Sequence, residues 1–273
     1  MKTMRSSNAR LAVTRLPTIV TFAAAVAFLS HGPIPQLADY HNFADQRTFL
    51  SIPHAFDVLS NAGFLLVGLV GVRRVVRSRE RALPNGAWYG YMVFCGSLIA
   101  TGVGSAYYHL APDDAWIVWD RLPIAVACAG LLAGVRAECS PGTGDSQRLV
   151  LLAIAAVSSV MWWRVTGISG EGDLRPYLLL QVLPLVVIPL WQMVYAAPRQ
   201  RRAAFGIAMA LYVAAKTAEL GDHVVFRAFG IISGHTIKHL LATVAAAAIV
   251  RVIAPSPNLD ASADYVGAPA HLI

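Results

Sequence analysis

The sequence predicts an all-α polytopic membrane protein, because of its composition and its long apolar segments. Of its 273 residues, 56% are hydrophobic and only 14% are charged, whereas a soluble domain carries roughly 25% charged residues. A helix needs about 20 apolar residues to cross the hydrocarbon core. We therefore expect a seven-transmembrane-helix bundle plus one extra N-terminal hydrophobic segment. The apolar segments lie at about residues 12–30, 57–76, 87–110, 116–136, 149–167, 177–197, 204–226 and 235–253.

The first segment stands apart from the others. It is short and follows several basic residues, which is typical both of a signal peptide and of an uncleaved anchor helix. Pro33 and Pro35 follow it and favour the anchor. We expect residues 1–38 to form this anchor or signal-like segment, residues 39–253 the membrane domain and residues 254–273 a flexible C-terminal tail.

The basic residues between the segments predict the orientation. If the N-terminus is cytoplasmic, 15 of the 22 lysines and arginines fall on the cytoplasmic side, as the positive-inside rule requires. Both termini would then be cytoplasmic, and the compact loops favour a bacterial inner membrane. The net charge of +7 thus reflects topology rather than nucleic-acid binding, and no motif indicates an obligatory protein partner.

Three histidines stand in segments where lipid-facing helices should have none. His109 follows Ser105 by four residues, and His239 follows His235 by four, so each pair projects from one helix face. Asp120 begins the next segment after His109. In the predicted topology all five residues lie at the outer ends of their segments. Because ionisable groups at membrane depth are costly and usually functional, we predict that these residues converge on one cavity near the outer leaflet.

The residue types indicate metal-dependent hydrolysis. Three imidazoles leave one tetrahedral zinc position open for water, whose pKa then falls to about 7. Asp120 could take a proton from that water and pass it to a leaving group. Ser105 could donate a hydrogen bond to an oxyanion. Asp120 could also be a zinc ligand or simply begin its helix, and Ser105 could be a small packing residue.

Other polar residues are candidates for contacting the substrate or supporting the metal ligands. Lys216 and Glu219 are three residues apart and can pair on one helix face, either to lock helices together or to contact substrate. Arg121 could bind a lipid headgroup or snorkel. Asp173 and Arg175 could pair within a loop, or Arg175 could hold a headgroup. The same set also includes Tyr177 and Asp222.

Together these motifs resemble those of the alkaline ceramidase family, within the CREST superfamily of seven-helix membrane hydrolases. The resemblance rests on "SNAGFLLVGLVG", "GVGSAYYHLAPDDAWIVWDRLP" and "SGHTIKHLLA" and covers roughly residues 39–253. It implies a zinc-dependent hydrolase that cleaves the N-acyl amide of ceramide-like membrane lipids into sphingoid base and fatty acid. By this resemblance His109, His235 and His239 bind zinc, Asp120 transfers protons and Ser105 assists at the oxyanion.

The resemblance also raises the possibility of calcium. Eukaryotic ceramidases of this family carry a calcium site formed by acidic residues before the first core helix. The corresponding residues here are Asp39, Asn42, Asp45 and Asp57, in a sparser acidic pattern. The alternative is that this stretch forms an ordered polar lid over the site.

Three other functions remain open at this point. One is a membrane sensor similar to the adiponectin-type receptors, in which zinc is mainly structural. Another is a lipid ester hydrolase, because zinc hydroxide attacks esters as well as amides. The third is a transporter that uses Lys216, Glu219, Asp222 and the histidines as relay groups. The spacing of the metal ligands argues against the transporter.

Overall fold

The computed structural model describes residues 2–78, 83–170 and 172–253, and the side chains from residue 13 onwards. Within these ranges the chain is helical, without a strand, and contains one isolated β-bridge between Phe49 and Ile52. The predicted tail of residues 254–273 lies outside the described residues. The helices are α1 (Lys2–Ser30), α2 (Ala55–Ser60), α3 (Ala62–Ser78), α4 (Asn85–Leu110), α5 (Ile117–Cys139), α6 (Asp145–Ile168), α7 (Arg175–Val194), α8 (Arg199–Leu220), α9 (Asp222–Phe229) and α10 (Gly234–Ile253).

The helices confirm an all-α polytopic membrane bundle. Among the described residues, seven spans are long and apolar enough to cross a membrane: α1, α2 with α3, α5, α6, α7, α8 and α10. The 26-residue helix α4 is not among them, since its glycines, tyrosines and polar residues lower its mean hydropathy. It nevertheless lies inside the bundle, packed against α3 and α5.

Helix α1 lies at the periphery of the bundle. It packs against α7, and the described part of it leaves most of its large apolar side chains exposed. Two hydrogen bonds fix its end to the start of α7: Arg175 Nη1 donates to the Leu29 carbonyl at 2.9 Å, and the Leu174 amide donates to the Ile34 carbonyl at 2.8 Å. The predicted extra N-terminal segment is therefore a helix attached to the outside of the bundle.

Small residues allow the two central helices, α4 and α5, to approach closely. A Cβ on Gly90 of α4 would collide with the backbone of Gly134 of α5, and a Cβ on Gly104 would collide with the carbonyl oxygen of Trp119. Small residues at helix interfaces are a general device of membrane bundles, because packing rather than water drives helix association there. The second of these contacts holds the end of α4, with Ser105 and His109, against the start of α5, with Asp120.

One predicted segment is in fact two helices. The apolar stretch 204–226 is interrupted at Gly221, where α8 ends and α9 begins. The next residue, Asp222, is buried, and its carboxylate accepts hydrogen bonds from the amides of Ala44 and His235 at 2.8 Å each. Because these partners come from distant parts of the chain, the apolar pattern of the segment could not reveal the break.

Candidate metal centre

The three predicted histidines meet inside the bundle. His109 comes from the end of α4, and His235 and His239 come from the first turns of α10. All three are buried, and one ring nitrogen of each lies within 4.8 Å of those of the other two. The Nε2 atoms of His109 and His235 are 3.1 Å apart. Among the described residues this is the one group of histidine, cysteine or acidic side chains that could hold a metal ion.

The start of α10 is fixed by polar groups that orient its two histidines. Ser233 Oγ accepts a hydrogen bond from the Thr236 amide at 2.9 Å, as an N-capping side chain does. The Asp222 carboxylate accepts from the His235 amide. Asp57, buried on α2, accepts from Thr236 Oγ1 at 2.5 Å and from Ser233 Oγ at 3.1 Å. These bonds satisfy the free amides and hydroxyls that the end of a helix would otherwise leave unpaired inside the bundle.

Ser60 sets the tautomer of His239. Ser60 Oγ lies 3.0 Å from the Asp57 carbonyl oxygen and 2.8 Å from His239 Nδ1. Because the hydroxyl has one proton and gives it to the carbonyl, its oxygen accepts a hydrogen bond from the Nδ1–H of His239. The lone pair of this imidazole is then on Nε2. Such a hydrogen bond to the far nitrogen is the usual support of a metal-binding histidine.

The long loop before α2 covers the histidines. Phe43 is buried and makes edge contacts with the rings of His109 and His235, at centroid distances of 4.7 and 4.5 Å. In the same loop, His41 Nδ1 lies 2.8 Å from the Tyr108 hydroxyl. An apolar ring over the imidazoles limits the access of bulk water, which strengthens electrostatic interactions within the site.

The calcium candidates are not gathered into one site. Asp39 is exposed, and the side chain of Asn42 accepts a hydrogen bond from Gln46 at 3.3 Å. Asp45 forms an ion pair with Arg47 at 2.7 Å. Asp57 is turned towards Thr236 and Ser233. Asp45 is thus occupied by Arg47, and Asp57 Oδ1 by Thr236 and Ser233, whereas buried Asp57 Oδ2 has no hydrogen-bond partner.

A cavity of about 280 Å³ lies beside the histidine cluster, and of the three histidines it is His239 that lines it. One end is polar and includes His239, Ser105 and Asp120, all of them buried. Most of the other lining side chains are apolar and come from α4, α5, α7, α8 and α10, with Gln181 and Tyr212 hydrogen-bonded to each other among them. The part of α10 that lines it, from Lys238 to Ile249, is about 16 Å long at 1.5 Å per residue. That length is about half of the roughly 30 Å hydrocarbon core.

Ser105, Asp120 and His239 thus line the same cavity. Asp120 is in the first turn of α5, where the helix dipole favours a carboxylate. Its neighbour Arg121 also lines the cavity and is 3% exposed. Arg121 lies over the ring of Trp163 at 4.2 Å and donates to Gln36 Oε1 at 2.6 Å. It is thus enclosed by protein and does not snorkel.

The predicted pair of Lys216 and Glu219 forms, with Lys216 Nζ 2.7 Å from Glu219 Oε2. A residue that the sequence interpretation missed completes it: Lys238 Nζ lies 2.8 Å from Glu219 Oε1 and 3.3 Å from His235 Nε2. All three charged residues line the cavity. The available signal was the lysine between the two histidines in "HTIKHLL", where a membrane helix would normally carry an apolar residue.

Asp173 and Arg175 form the predicted loop pair, 2.8 Å apart. Burial would raise the pKa of Asp173, but hydrogen bonds from Arg175 and Trp162 hold that pKa well below its usual value of 3.8. Because Arg175 also donates to the Leu29 carbonyl, this pair fastens α1 rather than facing the histidines. Tyr177, in contrast, is buried in the cavity wall near Arg121.

The imidazole cluster fits a metal ion chemically. Two nitrogens bound to one tetrahedral zinc ion at about 2.0–2.1 Å lie roughly 3.4 Å apart, and His109 and His235 present theirs at 3.1 Å. Buried His109 Nδ1 has no hydrogen-bond partner within the protein, so the ring of His109 is not already fixed by another polar group at that atom. In comparisons with models of known protein families and with curated proteins, the chain matches none.

Proposed function

We propose that the protein is a zinc-dependent membrane hydrolase that cleaves the N-acyl amide bond of ceramide-like lipids. The observation that carries the proposal is a cluster of three buried histidines, one of which, His239, lines a largely apolar cavity whose α10 wall is about as long as one leaflet's hydrocarbon. Such a cavity suits an acyl chain, and its polar end suits the bond by which the chain is attached. The motif resemblance to alkaline ceramidases supports the same substrate class.

His109, His235 and His239 would hold the zinc ion. When bound, zinc supplies Lewis-acid chemistry and a water that is acidic near neutral pH. Asp120 would accept a proton from the attacking water and return it to the nitrogen of the departing amine. Ser105 would donate its hydroxyl proton as a hydrogen bond to the carbonyl oxygen as charge develops there. The apolar wall would hold the acyl chain and keep water away from it.

The topology adds a location to the proposal. With the N-terminus in the cytoplasm, the ends of α4 and the starts of α5 and α10 lie at the outer face. The scissile bond would then meet the histidines near the outer leaflet of a bacterial inner membrane. This placement supports a lipid that enters the cavity from the bilayer with its headgroup near the membrane surface.

The test is hydrolysis of a fluorescent N-acyl-sphingosine by detergent-purified protein, with zinc measured on the same sample. Wild-type protein should contain near-stoichiometric zinc and release fatty acid. His109→Ala, His235→Ala and His239→Ala should lose both zinc and activity. Asp120→Asn, which is nearly isosteric, should keep zinc and lose at least about 100-fold in rate, since general acid–base catalysis contributes roughly 10²–10⁴-fold.

Other outcomes would exclude the proposal. Hydrolysis that persists in a zinc-free histidine variant would refute the metal-dependent mechanism. Cleavage of the ester analogue but not of the amide would identify an ester hydrolase. A protein that binds zinc and cleaves neither analogue would fit a sensor with a structural metal.

A further inference from the structure

The cavity carries one positive charge more than its own residues can neutralise. Glu219 receives two ammonium groups, with Lys216 on one carboxylate oxygen at 2.7 Å and Lys238 on the other at 2.8 Å. Counting the whole wall, three residues are basic, namely Arg121, Lys216 and Lys238, and two are acidic, namely Asp120 and Glu219. A metal ion in the histidine cluster would add further positive charge. The Lys216 side chain is 44% exposed, so the positive charges that are costly in a membrane are those of Lys238 and Arg121 together with that of the proposed metal ion, and the cavity is suited to an anion.

Lys238 is the charge that lies nearest the imidazoles. Its ammonium is 3.3 Å from His235 Nε2, and its residue lines the cavity next to His239. Lys216 lies on the other side of the shared carboxylate, and its side chain is 44% exposed. Because Lys216 alone would neutralise Glu219, the second ammonium is not needed for charge balance. Lys238 is thus held by Glu219 between the histidines and the apolar part of the cavity.

We propose that Lys238 binds the anionic oxygen of the lipid at this site, and in particular the carboxylate of the released fatty acid. This inference rests on the proposed hydrolysis, in which one water adds across the C–N bond. The acyl carbon keeps the new oxygen and leaves as a carboxylate, and the amine leaves with the protons as an ammonium. The carbonyl oxygen, which becomes the other oxygen of that carboxylate, carries negative charge while the amide is being attacked, and a nearby ammonium stabilises it there as well.

A purely structural role for Lys238 makes a different prediction. If it only locks α8 to α10 through Glu219, its removal would change stability and would affect all ligands of the cavity equally. If it binds an anionic oxygen, its removal would affect carboxylates selectively. Palmitate and hexadecanol are suitable probes, because they have the same chain and differ mainly in charge. Neither probe requires turnover.

The experiment compares binding of palmitate and hexadecanol to zinc-loaded full-length protein in detergent at neutral pH. Wild-type protein should bind palmitate roughly 10- to 100-fold more tightly than hexadecanol, the range expected for a hydrogen bond between charged groups. Lys238→Met should remove most of this preference and leave hexadecanol binding nearly unchanged. Lys216→Met is the matched control, since it deletes a lysine from the same Glu219 pair, and it should retain most of the preference.

Two results would overturn the inference: equal binding of both probes by wild-type protein, or a full carboxylate preference in Lys238→Met. The first needs no variant, so a folding defect in Lys238→Met does not remove the test. Amide hydrolysis without carboxylate preference would refute the role of Lys238 and leave the proposed function intact. A Lys238-dependent preference without hydrolysis of any N-acyl amide would refute the proposed function and support the carboxylate site.

Discussion

A single methyl group added at Gly104 should move Ser105 and His109 on α4 away from Asp120 on α5. Gly104 lies on α4, one residue before Ser105 and five before His109, and it faces the carbonyl oxygen of Trp119, one residue before Asp120. A Cβ at Gly104 would fall well inside the 3.0 Å below which real Cβ atoms are essentially never found. The obstacle is backbone, which cannot rotate away as a flexible side chain can.

The size of the effect follows from that geometry. Ordinary contacts between an aliphatic carbon and a carbonyl oxygen have separations of about 3.3–3.6 Å, so Gly104→Ala must move α4 and α5 apart by roughly 1 Å. Overpacking of this kind costs about 1–3 kcal/mol. A misplacement of about 1 Å in a catalytic group can cost on the order of 100-fold in rate. We therefore expect lower thermal stability and a large loss of hydrolysis.

Gly96 provides the control on the same helix, because a Cβ there would meet nothing within 4 Å. Gly96→Ala should leave activity unchanged and stabilise α4 by roughly 0.5–1 kcal/mol, through the lower entropy cost of alanine. The assay measures melting temperature, zinc content and N-acyl-sphingosine hydrolysis for both variants. Zinc should be retained in Gly104→Ala, because two of the three proposed ligands are on α10 and His109 is one turn further along α4. If Gly104→Ala has the same melting temperature and hydrolysis rate as Gly96→Ala, the close approach of α4 to α5 does not determine the position of Asp120.

Two further changes test the supports of the site and of the fold. Ser60→Ala removes the hydrogen bond to His239 Nδ1. Loss of such a support should weaken zinc affinity by about 10- to 100-fold, which competition with a chelator would measure. Unchanged zinc affinity would mean that Ser60 does not set the tautomer of His239. Asp173→Asn weakens the pairing that holds α1, so at pH 7 its melting temperature should be lower than that of wild type. Because the folded-state pKa of Asp173 is depressed, this difference should be constant above about pH 5 and shrink as pH falls below its usual value of about 4. A difference in melting temperature that grows as the pH falls would contradict the depressed pKa of Asp173.

The sequence predicted the parts of the site that depend on local spacing. The four-residue separation of His235 and His239 places them on one face of any helix, and the common depth of His109 and Asp120 follows from the ends of their apolar segments. The lengths of the segments likewise predicted the bundle. None of this required knowledge of which helices are neighbours.

What the sequence could not predict depends on contacts between distant residues. Asp222 is at the end of an apolar stretch, and nothing nearby shows that its carboxylate will bind the amides of Ala44 and His235. Phe43 is one aromatic residue in a polar loop, and its place over the imidazoles is visible only once the loop is folded. Lys238 pairs with Glu219 of another helix, and the residues around Lys238 in the sequence do not identify that partner. In each case tertiary packing determines the partner, and the local periodicity of the sequence carries no information about it.

The distribution of polar groups along the bundle explains why a lipid hydrolase would have its centre at one end. The polar groups that support the histidines, namely half-buried Ser60 and buried Asp57, Ser233 and Asp222, lie at the same end of the helices. Phe205, Ile188 and Ile249 line the cavity near the opposite ends of α8, α7 and α10. Hydrolysis of a lipid amide needs water at the bond and none along the chain. A cavity with the histidine cluster near one end and mostly apolar side chains beyond it meets both requirements, because the acyl chain can stay at membrane depth while the scissile bond reaches the histidines.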